Sequence, residues 1–179
     1  VVSRVELPPT PELAQTTYLC GAEVATECGR GNELASLRAE IDREVVTYDR
    51  IPPVVVAAVL AAEDRDYFRH SGIDPIGIAR AVVRDLQNRG GLQGGSTITQ
   101  QYVKNAFLTQ DRTLSRKLRE AALAVKLERA RSKEEILTDY LNTIYFGRGA
   151  YGVQAAARAY YGVDVRKVTL PQAAYLAAL

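Results

Sequence analysis

Two glutamates and one glycine-bounded cluster of hydroxyls carry the residue types from which a group-transfer site could be built. Glu63 lies in AAEDRDYFRHSG, where an apolar run ends and Asp64 and Asp66 follow. If that run is helical, Glu63 stands at its C-terminal end, where the macrodipole disfavours negative charge and the two aspartates add like-charge repulsion. A carboxylate disfavoured in its charged form is suited to act as a general base. An acidic helix end standing in water is the competing reading. Glu120 lies in RTLSRKLREAALAVKLE, with Arg116 and Lys117 at i−4 and i−3. That spacing gives either an ordinary surface ion pair or a cationic pair held in place by the glutamate.

The third stretch is GGLQGGSTITQQYVKN, residues 90–105. Glycines at 90, 91, 94 and 95 allow positive φ and close backbone approach, which alone describes only a flexible loop. Thr97 and Gln100 have the T-x-x-Q spacing of a capping box, so a helix begins after the loop and its first N–H groups attract anions. Ser96 and Thr97 add hydroxyl donors, and Lys104, about two turns along, adds a positive charge. The cluster resembles a phosphate cradle, but no Lys follows the glycines directly, which disfavours a nucleotide-hydrolysing loop.

The elements that must position these residues are mainly helical. Residues 1–50 show prolines, glycines and short apolar alternations, so an extended arm with short strands is expected there. Pro53 suits a first helical turn, and Val54 to Ala62 is apolar all round, which predicts a fully buried helix, three consecutive valines leaving a buried strand as the alternative. Asp74 and Pro75 open a second helix through Arg80 to Leu86, whose Ile73, Ile76, Ile78, Val82 and Val83 spread over more than one face. Further helices are expected over Ile98–Leu108, Leu114–Ala130 and Lys133–Asn142, followed by a Gly- and aromatic-rich turn and alanine-rich helices. At 100° per residue, Arg116, Glu120, Leu123, Ala124 and Leu127 share one side of the long helix and Leu114, Leu118, Ala121 and Val125 another, predicting cover on two sides.

Charge is distributed unevenly behind a net charge of +2: residues 1–66 hold six Arg against twelve acids, whereas residues 104–133 hold nine Lys and Arg against three. An anion would be held by the basic stretch. Nucleic acid is not favoured, because ten of the thirteen aromatic residues are tyrosines that do not interleave with the basic run as base stacking requires. The longest apolar run has nine residues, short of the roughly 20 needed to cross a bilayer. A Val start and the absence of Met predict a piece of a longer chain. Cys20 and Cys28 read equally as a small disulfide loop or as two unrelated thiols, and their spacing is poor for zinc.

Taken together, EDRDYFRHSG, GGSTITQQYVKN, RKLRE, EILTDYLNTIYFGRGAYG and AARAYYG resemble, in order and spacing, the motifs of the bacterial peptidoglycan glycosyltransferase family, the lysozyme-like polymerase domain of class A penicillin-binding proteins. The resemblance implies a large helical lobe and a small membrane-facing jaw of about residues 72–110, together making up residues 51–179. It implies polymerisation of lipid II: Glu63 as the base for the acceptor 4-hydroxyl, and Glu120 as the second glutamate, orienting cations or assisting the leaving group. Lys104, Arg112, Arg116 and Lys117, with Ser96, Thr97 and Gln100, would surround pyrophosphate, and Arg80 would serve the acceptor side. His70 is expected to be structural.

The implied partners are lipid II, the growing glycan on undecaprenyl pyrophosphate, the membrane interface, and other cell-wall synthesis and division proteins, with no nucleic acid. The implied location is the extracytoplasmic face of the bacterial cytoplasmic membrane, with an anchor and a transpeptidase domain outside these residues. No cofactor is required; a divalent cation, Mg or Mn, is a helper in some members, though no metal-ligand cluster is visible. Tyr67 stands where the family usually has Phe, and Gln172 where it has Glu. Two rivals are a lysozyme-like hydrolase, which would need an acid for its sugar leaving group, and a non-catalytic lipid-binding module.

Overall fold

A computed structural model describes residues 6–15, 17–21, 34–37, 43–80, 95–108 and 113–179. The architecture is mainly α, as expected. Helix α1 spans Pro53–Glu63 and α2 covers residues 75–80, up to the edge of the described backbone. Then come α3 (Ile98–Phe107), α4 (Leu114–Ala130), α5 (Lys133–Thr143), α6 (Val153–Tyr161) and α7 (Leu170–Ala177). In the arm, β1 (Thr17–Leu19) pairs antiparallel with β2 (Ala35–Leu37). Cys20 is disulfide-bonded, which selects the disulfide reading; Cys28 lies outside the described residues.

Local chemistry sets the helix starts. Pro53 occupies the first turn of α1, where its missing N–H costs nothing. Ser132 and Glu135 form a capping box at α5. At α7 the Thr169 amide donates to Gln172 Oε1 at 2.9 Å, so the neutral amide performs the capping that a glutamate would perform in its place.

One core joins the helices: Val55 and Val59 of α1, Ile98 and Tyr102 of α3, Leu123 and Leu127 of α4, and Ile136, Leu137 and Leu141 of α5 are all buried. Each such side chain contributes roughly 1.5–3 kcal/mol through removal from water. Tyr67 is fully buried too, and its hydroxyl donates to the Lys133 carbonyl at 2.8 Å, which explains how a tyrosine is accommodated where phenylalanine is usual. Two close contacts fix loops to helices. Gly72 has φ of +89°, and a Cβ there would lie 2.7 Å from the Ala124 backbone. Asn142, buried in α5, accepts from the Val46 amide at 3.0 Å and donates to the Val46 carbonyl at 2.8 Å, tying the end of the arm to the helical body.

Two expectations about cover are corrected. Only Val55 and Val59 of α1 are buried, because α1 packs chiefly against α7 and its other side faces outward; the run is a helix, not a strand, and not a fully enclosed one. In α4 the Glu120, Leu123, Ala124 and Leu127 side is covered, but Leu114 and Leu118 are exposed, since α3 supplies the cover on one side only. Val82, Val83 and Leu86 of the expected second helix lie outside the described residues, whereas Ile76 is 71% exposed.

Candidate active site

The site begins where α1 ends. Asp64 leaves the helix with φ −158° and ψ 78°, so consecutive carboxylates point to different places. The Asp64 side chain turns inward, is buried, and accepts from the Ile98 amide at 3.0 Å and from His70 Nε2 at 2.9 Å. The anion expected at the α3 N-terminus is therefore supplied by the chain itself, with His70 in a structural part. Thr97 and Gln100 are likewise turned to the scaffold. The Gln100 amide donates to Thr97 Oγ1 at 3.2 Å, the Thr97 amide donates to Gln100 Oε1 at 3.0 Å, and Thr97 Oγ1 donates to the Gly72 carbonyl at 2.8 Å. Both side chains are buried, and the bond to Gly72 locks the start of α3 to the loop before α2.

Glu63 stays exposed. Its Oε2 accepts from Gln101 Nε2 at 2.7 Å, and Gln101 Oε1 accepts from the Tyr140 hydroxyl at 3.1 Å. The hydroxyl proton of Tyr140 holds the amide oxygen on its own side, so the amide N–H faces the carboxylate. Burial, then the negative charges of Glu63 and Asp64, push the Tyr140 phenol far up, which keeps it a donor.

Glu120 occupies the opposite kind of environment. It is 1% exposed, accepts from Arg116 Nη1 at 2.9 Å, and accepts also from Lys117 Nζ. Lys117 Nζ in turn donates to Ser96 Oγ at 2.8 Å. Of the two readings of this triplet, the buried carboxylate that holds two cations in position is the one the geometry supports; a surface ion pair would leave Glu120 wet.

Two clefts meet at Glu63. One, of about 180 Å³, is lined by Glu63, Asp66, Asp74, Arg80, Gly95 and Ser96 among others. The second, of about 520 Å³, is lined by Glu63, Gln101, Asn105, Tyr140 and the loop after α5. Among the described residues, Glu63 is the one that the two linings share.

A family model described as Transglycosylase matches residues 30–179. The chain belongs to the transglycosylase family. It is 52% identical over 137 residues to penicillin-binding protein 1A of Aquifex aeolicus, covering 76% of this chain and 19% of that protein. It is 47% identical over 149 residues to penicillin-binding protein 1F of Bacillus subtilis, covering 83% of this chain and 21% of the relative. With penicillin-binding protein 1A of Escherichia coli the identity is 47% over 147 residues, 82% of this chain and 17% of the relative. The chain thus spans about a fifth of the length of the curated relatives it matches.

Within the candidate site the sequence candidates separate. Glu63, Ser96, Thr97 and Arg80 line the smaller cleft, with Arg80 62% exposed and 3.7 Å from Asp66. Arg116 and Lys117 meet at Glu120. Lys104 is exposed on α3 and is not among the described lining residues of either cleft, and Arg112 lies outside the described residues. Among the described residues no group of three His, Cys, Asp or Glu side chains converges to hold a metal ion. Gln101 and Tyr140, the residues hydrogen-bonded in a chain to Glu63, are those that sequence reasoning missed. The available signal was the doubled glutamine: Gln100 is committed to the cap, so Gln101, one position round the helix, must face elsewhere.

Proposed function

We propose that this chain polymerises lipid II into glycan strands by inverting transfer. Glu63 takes the proton of the acceptor 4-hydroxyl as that oxygen bonds to the donor's anomeric carbon. The bond from that carbon to phosphate breaks, and undecaprenyl pyrophosphate leaves with the electron pair. The observation that carries this reading is the division of labour between the glutamates: an exposed carboxylate at the meeting of two clefts, and a buried one whose whole engagement is with cations. A departing pyrophosphate is an anion that needs positive charge more than a proton, which Arg116, Lys117, Lys104 and Arg112 can supply, with the Ser96 hydroxyl adding a hydrogen bond. Arg80 in the smaller cleft serves the acceptor. The exposed Ile76 and Ile78 suit contact with the bilayer interface that retains the lipid tails, on the extracytoplasmic face of the cytoplasmic membrane.

The test is polymerisation of lipid II by the full chain in lipid, comparing wild type with Glu63→Gln and adding the family's inhibitor moenomycin. Long glycan from wild type alone, blocked by moenomycin, is expected. Equal polymerisation by Glu63→Gln removes the base from this mechanism, and shortening of preformed glycan by wild type would favour the hydrolase.

A further inference from the structure

Arg43 is 7% exposed, and among the described residues neither an acid nor a hydrogen-bond acceptor meets its guanidinium. Its Nε is buried without a partner, and its Cζ lies 5.5 Å from the centroid of the Tyr151 ring. Its neighbour Glu44 does not compensate it: that carboxylate is engaged by the Tyr18 hydroxyl at 2.8 Å and stands 3.8 Å from Arg158 Nε. Burying a guanidinium without a counter-charge is strongly unfavourable, and the ring face offsets this only in part. The position is fixed all the same, because the Asn142 clamp on Val46 holds the backbone three residues away.

Arg43 lines the larger cleft, and the only acid among the described lining residues there is Glu63. Gln101, Asn105, Thr143 and Tyr145 bring amides and hydroxyls to the same cleft, a lining that suits a saccharide. Of the described residues assigned to pyrophosphate, Lys104, Arg116, Lys117 and Ser96 are absent from its lining. A planar guanidinium fork over an aromatic ring matches a carboxylate in two-point contact. We propose that Arg43 is a carboxylate subsite, holding an acidic group of the peptide carried by the saccharide in this cleft. This inference rests on the glycan-polymerase reading above and adds a specificity-determining contact away from the leaving group.

The experiment uses the full chain with two forms of lipid II, one with free peptide carboxylates and one with those carboxylates amidated. Arg43→Gln is expected to raise KM for the free-acid form about tenfold while kcat stays within about twofold, the size of one lost hydrogen bond to a charged group. Amidation should weaken wild type by a similar factor, and Arg43→Gln should then add nothing. Arg43→Lys, which keeps the charge and loses the fork, should fall between. Because the substitution removes an unpaired buried charge, the Tm of Arg43→Gln should not fall. An unchanged KM, or an equal loss on both substrates, overturns the proposal. Glu63→Gln run in parallel separates the two failures: an inactive Glu63→Gln with an indifferent Arg43→Gln sinks only the carboxylate subsite, while an active Glu63→Gln sinks the polymerase mechanism.

Discussion

Replacing Glu120 with Gln tests whether the two cations depend on a buried counter-charge. The shape is kept and one negative charge is lost. Arg116 is 18% exposed and Glu120 2% by side chain, so their hydrogen bond is shielded; Lys117, at 44%, is half in water and counts for less. Losing a charge-assisted bond to Arg116 costs about 1.5–3 kcal/mol, and the weaker bond to Lys117 about 1 kcal/mol more. The new amide must also turn its N–H toward one of the cations. The sum is about 3 kcal/mol, which for a domain of this size lowers Tm by roughly 6–12 °C. If the cations then leave their places, transition-state stabilisation should fall as when a preorganised donor is removed, about 100-fold or more in kcat. Differential scanning calorimetry and lipid II polymerisation read the two effects. A Tm within about 1 °C of wild type together with kcat within about threefold would refute the positioning argument; a lowered Tm with normal kcat would leave Glu120 a purely structural acid.

Two other outcomes follow from particular contacts. Gly72→Ala should destabilise by about 2–4 kcal/mol, since the new Cβ meets the Ala124 backbone at 2.7 Å and the residue must keep φ of +89°; chemical denaturation showing a loss below about 0.5 kcal/mol would count against that geometry. Asp164 is held down to about 2, first by its hydrogen bond from Arg166, so its contribution is present above its unfolded value near 4 and disappears as pH falls from about 4 to 2. Asp164→Asn should flatten that part of the stability profile, and an unchanged slope between those pH values would contradict it.

What could be seen in the sequence was what is local along the chain. The Thr97 and Gln100 cap and the pairing of Arg116 and Lys117 with Glu120 follow from spacings of three or four residues, and both formed. Cover was less visible. An all-apolar α1 read as enclosed and two apolar sides of α4 read as two interfaces, yet burial depends on which distant element arrives, and α7 and α3 each cover one side. The contacts that decide the site are longer still: Asp64 reaches Ile98 across 34 residues, Tyr140 reaches Gln101 across 39, and Asn142 reaches Val46 across 96. Periodicity carries no information at such separations. That is why Thr97 and Gln100 were expected to face a ligand while Gln101, Tyr140 and Arg43 were passed over.

The outward turn of Glu63 beside the inward turn of Asp64 has a practical consequence. Adjacent acids usually resist separate manipulation, but here the second one staples α1 to α3 while the first supports no other element beyond its bond to Gln101. Glu63→Gln should therefore yield an intact protein that binds both saccharides and joins neither. Such a chain is a trap, suited to capturing donor and acceptor side by side before the bond between them is made.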